Sequence, residues 1–241
     1  MTVPVYNLAL APPGRMTAPQ IVGSAVEGGR TLSGLTSAAD LTGGGLVAVK
    51  YSAIKLSNTT PDAQRYWSWL SAYLAGGVRS ILVPLLVDRV SPFQGPYVER
   101  RVGITHSTEA MFSTGAGYAI GNAVAWIGAA QQNAGTVAIV IAGGPQIVGG
   151  EWFEIVHPTR GSRAYCITEI DAVTVNADLS RTYTVGIRPP LRDAVGQGAV
   201  ISFSRPKTLM RLAPGTQMPN DIEKYWYSTP EVSFIESFGN V

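Results

Sequence analysis

Charge is the scarcest resource in this sequence. Only 14% of its 241 residues are Asp, Glu, Lys or Arg, where ordinary soluble domains carry roughly 25%. The 18 basic and 16 acidic side chains leave a formal charge of +2, too balanced for a protein that holds nucleic acid by neutralising phosphates. One cysteine, Cys166, excludes an internal disulfide, and with two histidines it leaves almost nothing to ligate zinc. The opening Met1-Thr2-Val3-Pro4-Val5-Tyr6 lacks the basic region and continuous apolar core of a secretory signal, so Sec-type export is not expected. No repeat of roughly 20 to 50 residues is evident, which removes solenoids and propellers.

Glycine and proline are abundant instead. The 27 Gly and 16 Pro make up about 18% of the chain against roughly 12% on average, which argues against a helix bundle. A hydrophobic fraction of 46% is enough to build a core, so disorder is excluded. The length fits one all-β domain or two smaller units.

The shortage of charge is local. Ala110 to Gly150 runs forty-one residues without one ionisable Asp, Glu, Lys or Arg. A membrane helix needs about 20 consecutive apolar residues. Here Gln131, Gln132 and Asn133 interrupt the run and five glycines between 115 and 135 punctuate it. Two strands, Tyr118 to Ile127 and Thr136 to Ala142, joined by a polar turn around Gln131 to Gly135, are the expected structure. A surface this neutral suits packing against protein.

Turn formers break the first forty residues every few positions. After Gly45, apolar residues fall at 47, 49 and 51 and then at 54 and 56, a single change of phase that a β-bulge near Ser52-Ala53 would produce. The one helix is expected to start with Thr60 as N-cap and Pro61 at its first position, with Asp62 near the positive end of the dipole. Tyr66, Trp67, Leu70, Tyr73 and Leu74 then share one face, and Gly76-Gly77 supplies the stop. The bulk of Tyr66, Trp67 and Trp69 fills space against a sheet or serves contact with another molecule. A strand from Ser80 to Val87 follows, held to an edge or a bulge by Pro84.

From Gly149, strands recur at Trp152 to Val156, Arg163 to Ile170, Arg181 to Ile187 and Ala199 to Phe203, separated by turn signals at 157–161, 176–178 and 196–198. These make a small sandwich or barrel. The tail after Pro206 holds two or three more strands and matches the N-terminal third in composition. Pairing between them would make the middle of the chain an insertion.

Catalytic chemistry is hard to find. His106-Ser107-Thr108-Glu109 has no metal-ligand or catalytic spacing, there is no Walker loop, and no Gly-x-Ser-x-Gly elbow is present. His157, before Pro158, reads as a turn residue. Cys166 reads as a small buried hydrophobe, and Asp171 and Asp178 as solvated loop charges. No enzyme activity, cofactor or metal is therefore expected. Of the 18 basic residues 14 are Arg, a bias found at protein interfaces and equally in chains from high-GC genomes. Arg100, Arg101, Arg188, Arg192 and Arg211, with Tyr66, Trp67 and Trp69, are the candidates for subunit contacts.

The run Ile187-Arg188-Pro189-Pro190-Leu191-Arg192, then Gly196-x-Gly198, Val200, Pro206 and Met210-Arg211-Leu212, resembles the C-terminal segment of tail proteins of long-tailed bacteriophages. Gly150-Glu151-Trp152-Phe153-Glu154-Ile155 looks like the strand that opens the small barrel of those proteins. The strand, aromatic helix with Gln64-Arg65, and strand over residues 46–87 look like the ring-forming domain of the distal tail protein. The resemblance covers roughly residues 40 to 238. It implies a mainly β protein: a ring-forming β-sandwich or barrel domain with one helix, of residues 1–101 and 207–241, and an inserted small barrel like an oligonucleotide/oligosaccharide-binding (OB) fold, of residues 102–206. It also implies a virion component at the tail tip or baseplate, commonly a hexameric homo-oligomer, that joins the tail tube protein to the tail hub protein and anchors tail fibres in some relatives. The family carries no catalytic residues. Two alternatives stay open. One is a host-surface saccharide-binding module, for which Trp126, Trp152 and Tyr165 are the candidate platform unless they are core; the other is a different tube or hub subunit.

Overall fold

The computed structural model describes residues 3–23, 25–30, 36–41, 43–57, 61–85, 124–142, 146–178, 180–203, 205–220 and 227–239. In chain order the elements are β1 (Arg15–Met16), β2 (Gln20–Val22), β3 (Ala25–Arg30), β4 (Thr36–Asp40), β5 (Leu46–Ser52), β6 (Leu56–Ser57), helix α1 (Pro61–Leu74), β7 (Ile81–Pro84), β8 (Val124–Ile127), β9 (Thr136–Ala142), β10 (Trp152–His157), β11 (Gly161–Val175), β12 (Arg181–Arg188), β13 (Ala199–Ser202), β14 (Lys207–Leu212), β15 (Tyr227–Ser228) and β16 (Val232–Glu236). The protein is mainly β with one α-helix. It divides into two compact units, Met1–Leu86 with Lys207–Val241, and Val87–Pro206. The boundary expected near residue 101 lies outside the described residues.

In the first unit the sheet runs β1-β5-β16-β14-β7, with β2 also paired to β5. The C-terminal strands lie inside this sheet, because β16 pairs with β5 and β14 pairs with β7. In β5 the alternation seen in sequence is the alternation of burial: Val47, Val49 and Tyr51 are buried and the residues between them are not. The change of phase after Tyr51 is the expected bulge: Tyr51 pairs with Val232 and Leu56 with Ser228, so five steps on this strand stand against four on its partner. Ala53 takes a left-handed backbone (φ 52°), its carbonyl accepts the Gly14 N–H at 3.1 Å, and Ile54 donates to the Pro230 carbonyl at 3.2 Å. Beyond the bulge β6 pairs with β15, the segment just ahead of β16, in a register shifted by one residue.

Helix α1 buries Ala63, Trp67, Leu70 and Leu74, the i, i+4, i+7, i+11 stripe of a helix laid on a sheet. Gly76 (φ 69°) and Gly77 (φ 99°) end it; both backbones lie where a side chain is disfavoured. The helix start at Pro61 matches the cap signal, although Thr60 itself lies outside the described residues. Strand β7 stands at the end of the sheet order, as Pro84 requires. Its outer side meets the N-terminal segment, where Tyr6 donates to the Leu82 carbonyl at 2.8 Å and Leu82 to the Pro4 carbonyl at 2.9 Å.

The second unit is a closed barrel of six antiparallel strands in the order β10-β11-β12-β9-β8-β13. Inward residues repeat with period two: Phe153 and Ile155 on β10, Tyr165 and Ile167 on β11, Tyr183, Val185 and Ile187 on β12, Ile139 and Ile141 on β9. The half of the uncharged run that is described supplies β8 and β9. Ala125, Ile127 and Val137 point into the core, whereas Trp126, Ala138 and Val140 are half-buried on the other face. The part of the first expected strand before residue 124 lies outside the described residues. Strand β11 is fifteen residues long and shifts register against β12 twice, between Ile167 and Glu169 and between Ile170 and Ala172. Such shifts re-aim a strand that outruns its neighbour.

Candidate functional site

The solvent side of α1 carries a ladder of rings. Tyr66 stacks on Trp69 with centroids 5.7 Å apart, and Trp69 on Tyr73 at 5.2 Å, the spacing of helix positions three and four apart. Arg79 places its guanidinium 5.3 Å from the Tyr73 centroid, closing one end of the stack by a cation–π contact. The other end is fixed by the Tyr66 hydroxyl, which accepts the Asn7 N–H at 2.8 Å. Burial raises the Tyr66 phenol above its ordinary range and the Asn7 amide offsets this in part. Trp69, in the middle, is 45% exposed. The ladder presents ring edges outward, because the faces are occupied by one another.

Trp67 must be struck from the interface candidates. It is 1% exposed and lies on the buried face of α1 with Ala63, Leu70 and Leu74, one residue from Tyr66 and therefore turned about 100° from it. Its indole N–H has no hydrogen-bond partner among the described residues. Arg188 and Arg211 are exposed at β12 and β14. Arg192 is largely buried: its backbone N–H donates to the Tyr165 hydroxyl at 3.1 Å, and its carbonyl accepts from Gln132 Nε2 at 3.2 Å. Arg100 and Arg101 lie outside the described residues.

The three saccharide candidates are separated in the same way. Tyr165 is wholly buried inside the barrel, and Trp152 is buried on its β10. Neither can form a platform for a sugar. Trp126 alone stays on the surface, half-buried, in cross-strand register with Val200 on β13 and Val140 on β9.

His157 is not a turn residue. It ends β10 on the inward face shared with Phe153 and Ile155, and its Nε2 lies 2.7 Å from the Tyr165 hydroxyl. The arrangement that leaves fewest groups unpaired has Tyr165 accept from the Arg192 N–H and donate to His157 Nε2. The imidazole proton then sits on Nδ1, which has no partner among the described residues. Burial pushes the imidazole down to about 4, with Asp193 opposing and Arg163 adding to the shift. A histidine held neutral in this way, paired to a phenol rather than to a carboxylate and a nucleophile, is a structural group. Burial also pushes the Cys166 thiol up to about 11, far from a reactive thiolate. At the opposite end of β10, Glu151 is buried with its carboxyl pushed up to about 7; the Val148 amide weakens that shift without reaching hydrogen-bond geometry. Alternation from Phe153 and Ile155 was the signal that would have found both His157 and Glu151. Among the described residues no three His, Cys, Asp or Glu side chains are grouped to hold a metal ion, and no helix is long and apolar enough to cross a membrane.

The segment that carries the phage-tail resemblance closes one end of the barrel. After β12, Leu191 is buried and exchanges hydrogen bonds with the polar turn: Asn133 donates to the Leu191 carbonyl at 2.8 Å and Leu191 to the Ala134 carbonyl at 3.0 Å. Val195 and Ala130 exchange a second pair. No family model matches the chain, and no curated protein matches it.

Proposed function

We propose that this chain is a structural subunit of a phage tail tip, a distal tail protein that forms a ring between the tail tube and the hub. The observation that carries the reading is the course of residues 187–212. The Ile-Arg-Pro-Pro-Leu-Arg run ends β12, the Gly196–Gly198 turn leads into β13, and the Met210-Arg211-Leu212 strand is β14 of the other unit. In this reading the ring ladder of α1 and the exposed Arg188 and Arg211 meet neighbouring subunits, because a closed ring uses two different patches of one chain head to tail. The tube and hub proteins, and fibres where present, are its partners, and the virion tail tip is its place. Mass measurement of purified protein together with negative-stain images of virions tests it. A ring of several copies located at the tail tip is expected; a stable monomer absent from particles overturns the reading.

Trp126 favours one second reading, a saccharide-binding module, since it offers a surface ring flanked by Val140 and Val200. A glycan-array signal abolished by Trp126→Ala with folding intact would support that module. The buried Trp152 is not a usable probe, because truncating it damages packing.

A further inference from the structure

Among the described residues, the closed barrel leaves one strand edge open. Strand β11 pairs with β10 only as far as Cys166, opposite Trp152, but continues along β12 to Val175, opposite Arg181. Strand stagger is what closing a barrel demands, and here it carries the second half of β11 past the end of its neighbour. Residues 171–175 are all exposed. The direction of their backbone groups follows from the hairpin. Asn176 donates to the Ser180 carbonyl at 2.8 Å, so Thr174 and Ala172, opposite Thr182 and Thr184, make the next hydrogen-bonded pairs with β12. The N–H and C=O groups of Val173 and Val175 therefore point away from β12, along the open edge. Their side chains are 52% and 64% exposed.

Proteins guard open edges with bulges and charges. The first part of this edge has both: two register shifts before Ala172, and Glu169 and Asp171. From Ala172 to Asn176 there is neither, only Ala-Val-Thr-Val-Asn. We propose that this bare edge is a strand-addition site whose occupant is the same edge of a second copy of the chain. Antiparallel pairing centred on Thr174 sets Val173 of each copy against Val175 of the other. All four outward N–H groups and carbonyls of that segment are then satisfied in four hydrogen bonds. Thr174 faces its own copy, a favourable cross-strand pair. Asp171 faces Ala177, so no two acids are opposed. The contact is two-fold, unlike the head-to-tail contacts of a ring, and it stands or falls independently of the ring reading.

The test is amide hydrogen exchange on the full chain over a dilution series, with sedimentation velocity on the same samples. The Val173 and Val175 amides should be protected at high concentration and lose about tenfold or more of that protection on dilution, as association falls away. Val173→Pro removes an N–H that β12 does not use. Val173→Lys adds a charge facing Val175 of the other copy. Both should abolish the concentration-dependent protection of Val175, whereas Val200→Lys, on an exposed barrel strand, should leave it unchanged. Unprotected exchange at both amides at every concentration overturns the proposal, as does concentration-dependent protection of Val175 that survives both Val173 variants. A ring built through other surfaces changes the sedimentation but not the protection, which is read at these two amides.

Discussion

Glu151 is buried just ahead of β10 with its carboxyl raised from 4.5 to about 7, and His157 is buried as the last residue of that strand with its imidazole lowered from 6.5 to about 4. The two act on barrel stability with opposite sign. Between pH 4.5 and 6.5 the unfolded chain protonates His157 and the folded chain does not, so that residue's contribution grows as pH rises and is complete above its unfolded value. Over the same interval the folded chain keeps Glu151 protonated and the unfolded chain does not, so its contribution shrinks as pH rises and is fully present only below its unfolded value. The wild-type midpoint of urea unfolding should consequently be nearly flat across that window as far as these two groups are concerned. Glu151→Gln should unmask a midpoint that climbs with pH, and His157→Gln one that falls, each by an amount on the order of 3 kcal/mol at most. Parallel profiles for both variants would contradict the burial of one or the other. Neither group stood out by residue type or spacing to a partner; their phase with Phe153 and Ile155 was the one local signal, and it becomes burial only when the barrel closes over that face.

At the scale of elements the strand and helix periods were readable and the breaks between them were less so. The Trp67, Leu70 and Leu74 stripe of α1, though not the place of Tyr66 and Tyr73 outside it, the start at Pro61 and the Gly76-Gly77 stop, the edge position of β7 and the alternation along β12 all follow from local sterics and hydropathy. The bulge after Tyr51 was readable too, as a change of phase, although the left-handed backbone of Ala53 inside it was not. Glycines show a similar limit. Gly76 and Gly45 both have positive φ, of 69° and 86°, but a Cβ on Gly76 would meet nothing within 4 Å, while one on Gly45 would lie 2.4 Å from Ile21 Cγ2 and 3.2 Å from the Val22 carbonyl oxygen. Gly76→Ala should therefore cost only the left-handed backbone penalty, about 1 kcal/mol. Gly45→Ala should cost distinctly more, about 2–4 kcal/mol, by adding overpacking of β2 against β5. Urea unfolding of the two variants measures the difference, and equal losses would mean that β2 yields without cost.

At the scale of the whole molecule, neighbouring aromatics of α1 separate into two roles that a helical wheel only suggests. Trp67→Ala should lower the stability of its unit by about 3–5 kcal/mol through the cavity it leaves. Trp69→Ala should move the unfolding midpoint little, within about 1 kcal/mol, yet weaken the assembly that the proposed ring requires, as measured by native mass or light scattering. Assembly unchanged by Trp69→Ala would remove α1 from the subunit contact. The sequence by itself determined a mainly β chain with one helix, a middle section of short strands and tight turns, and little ionisable chemistry, because turn residues and periodicity are local properties of the backbone. Only the tertiary structure decided which of Trp67, Trp69, Trp126, Trp152 and Tyr165 are core. It alone sealed His157 and Glu151 away from water, and carried the Val173–Val175 edge beyond β10. Burial and strand stagger depend on which distant segments come together, and pairings such as β5 with β16 or β10 with β13 are fixed by the packing of the whole chain rather than by any stretch of it.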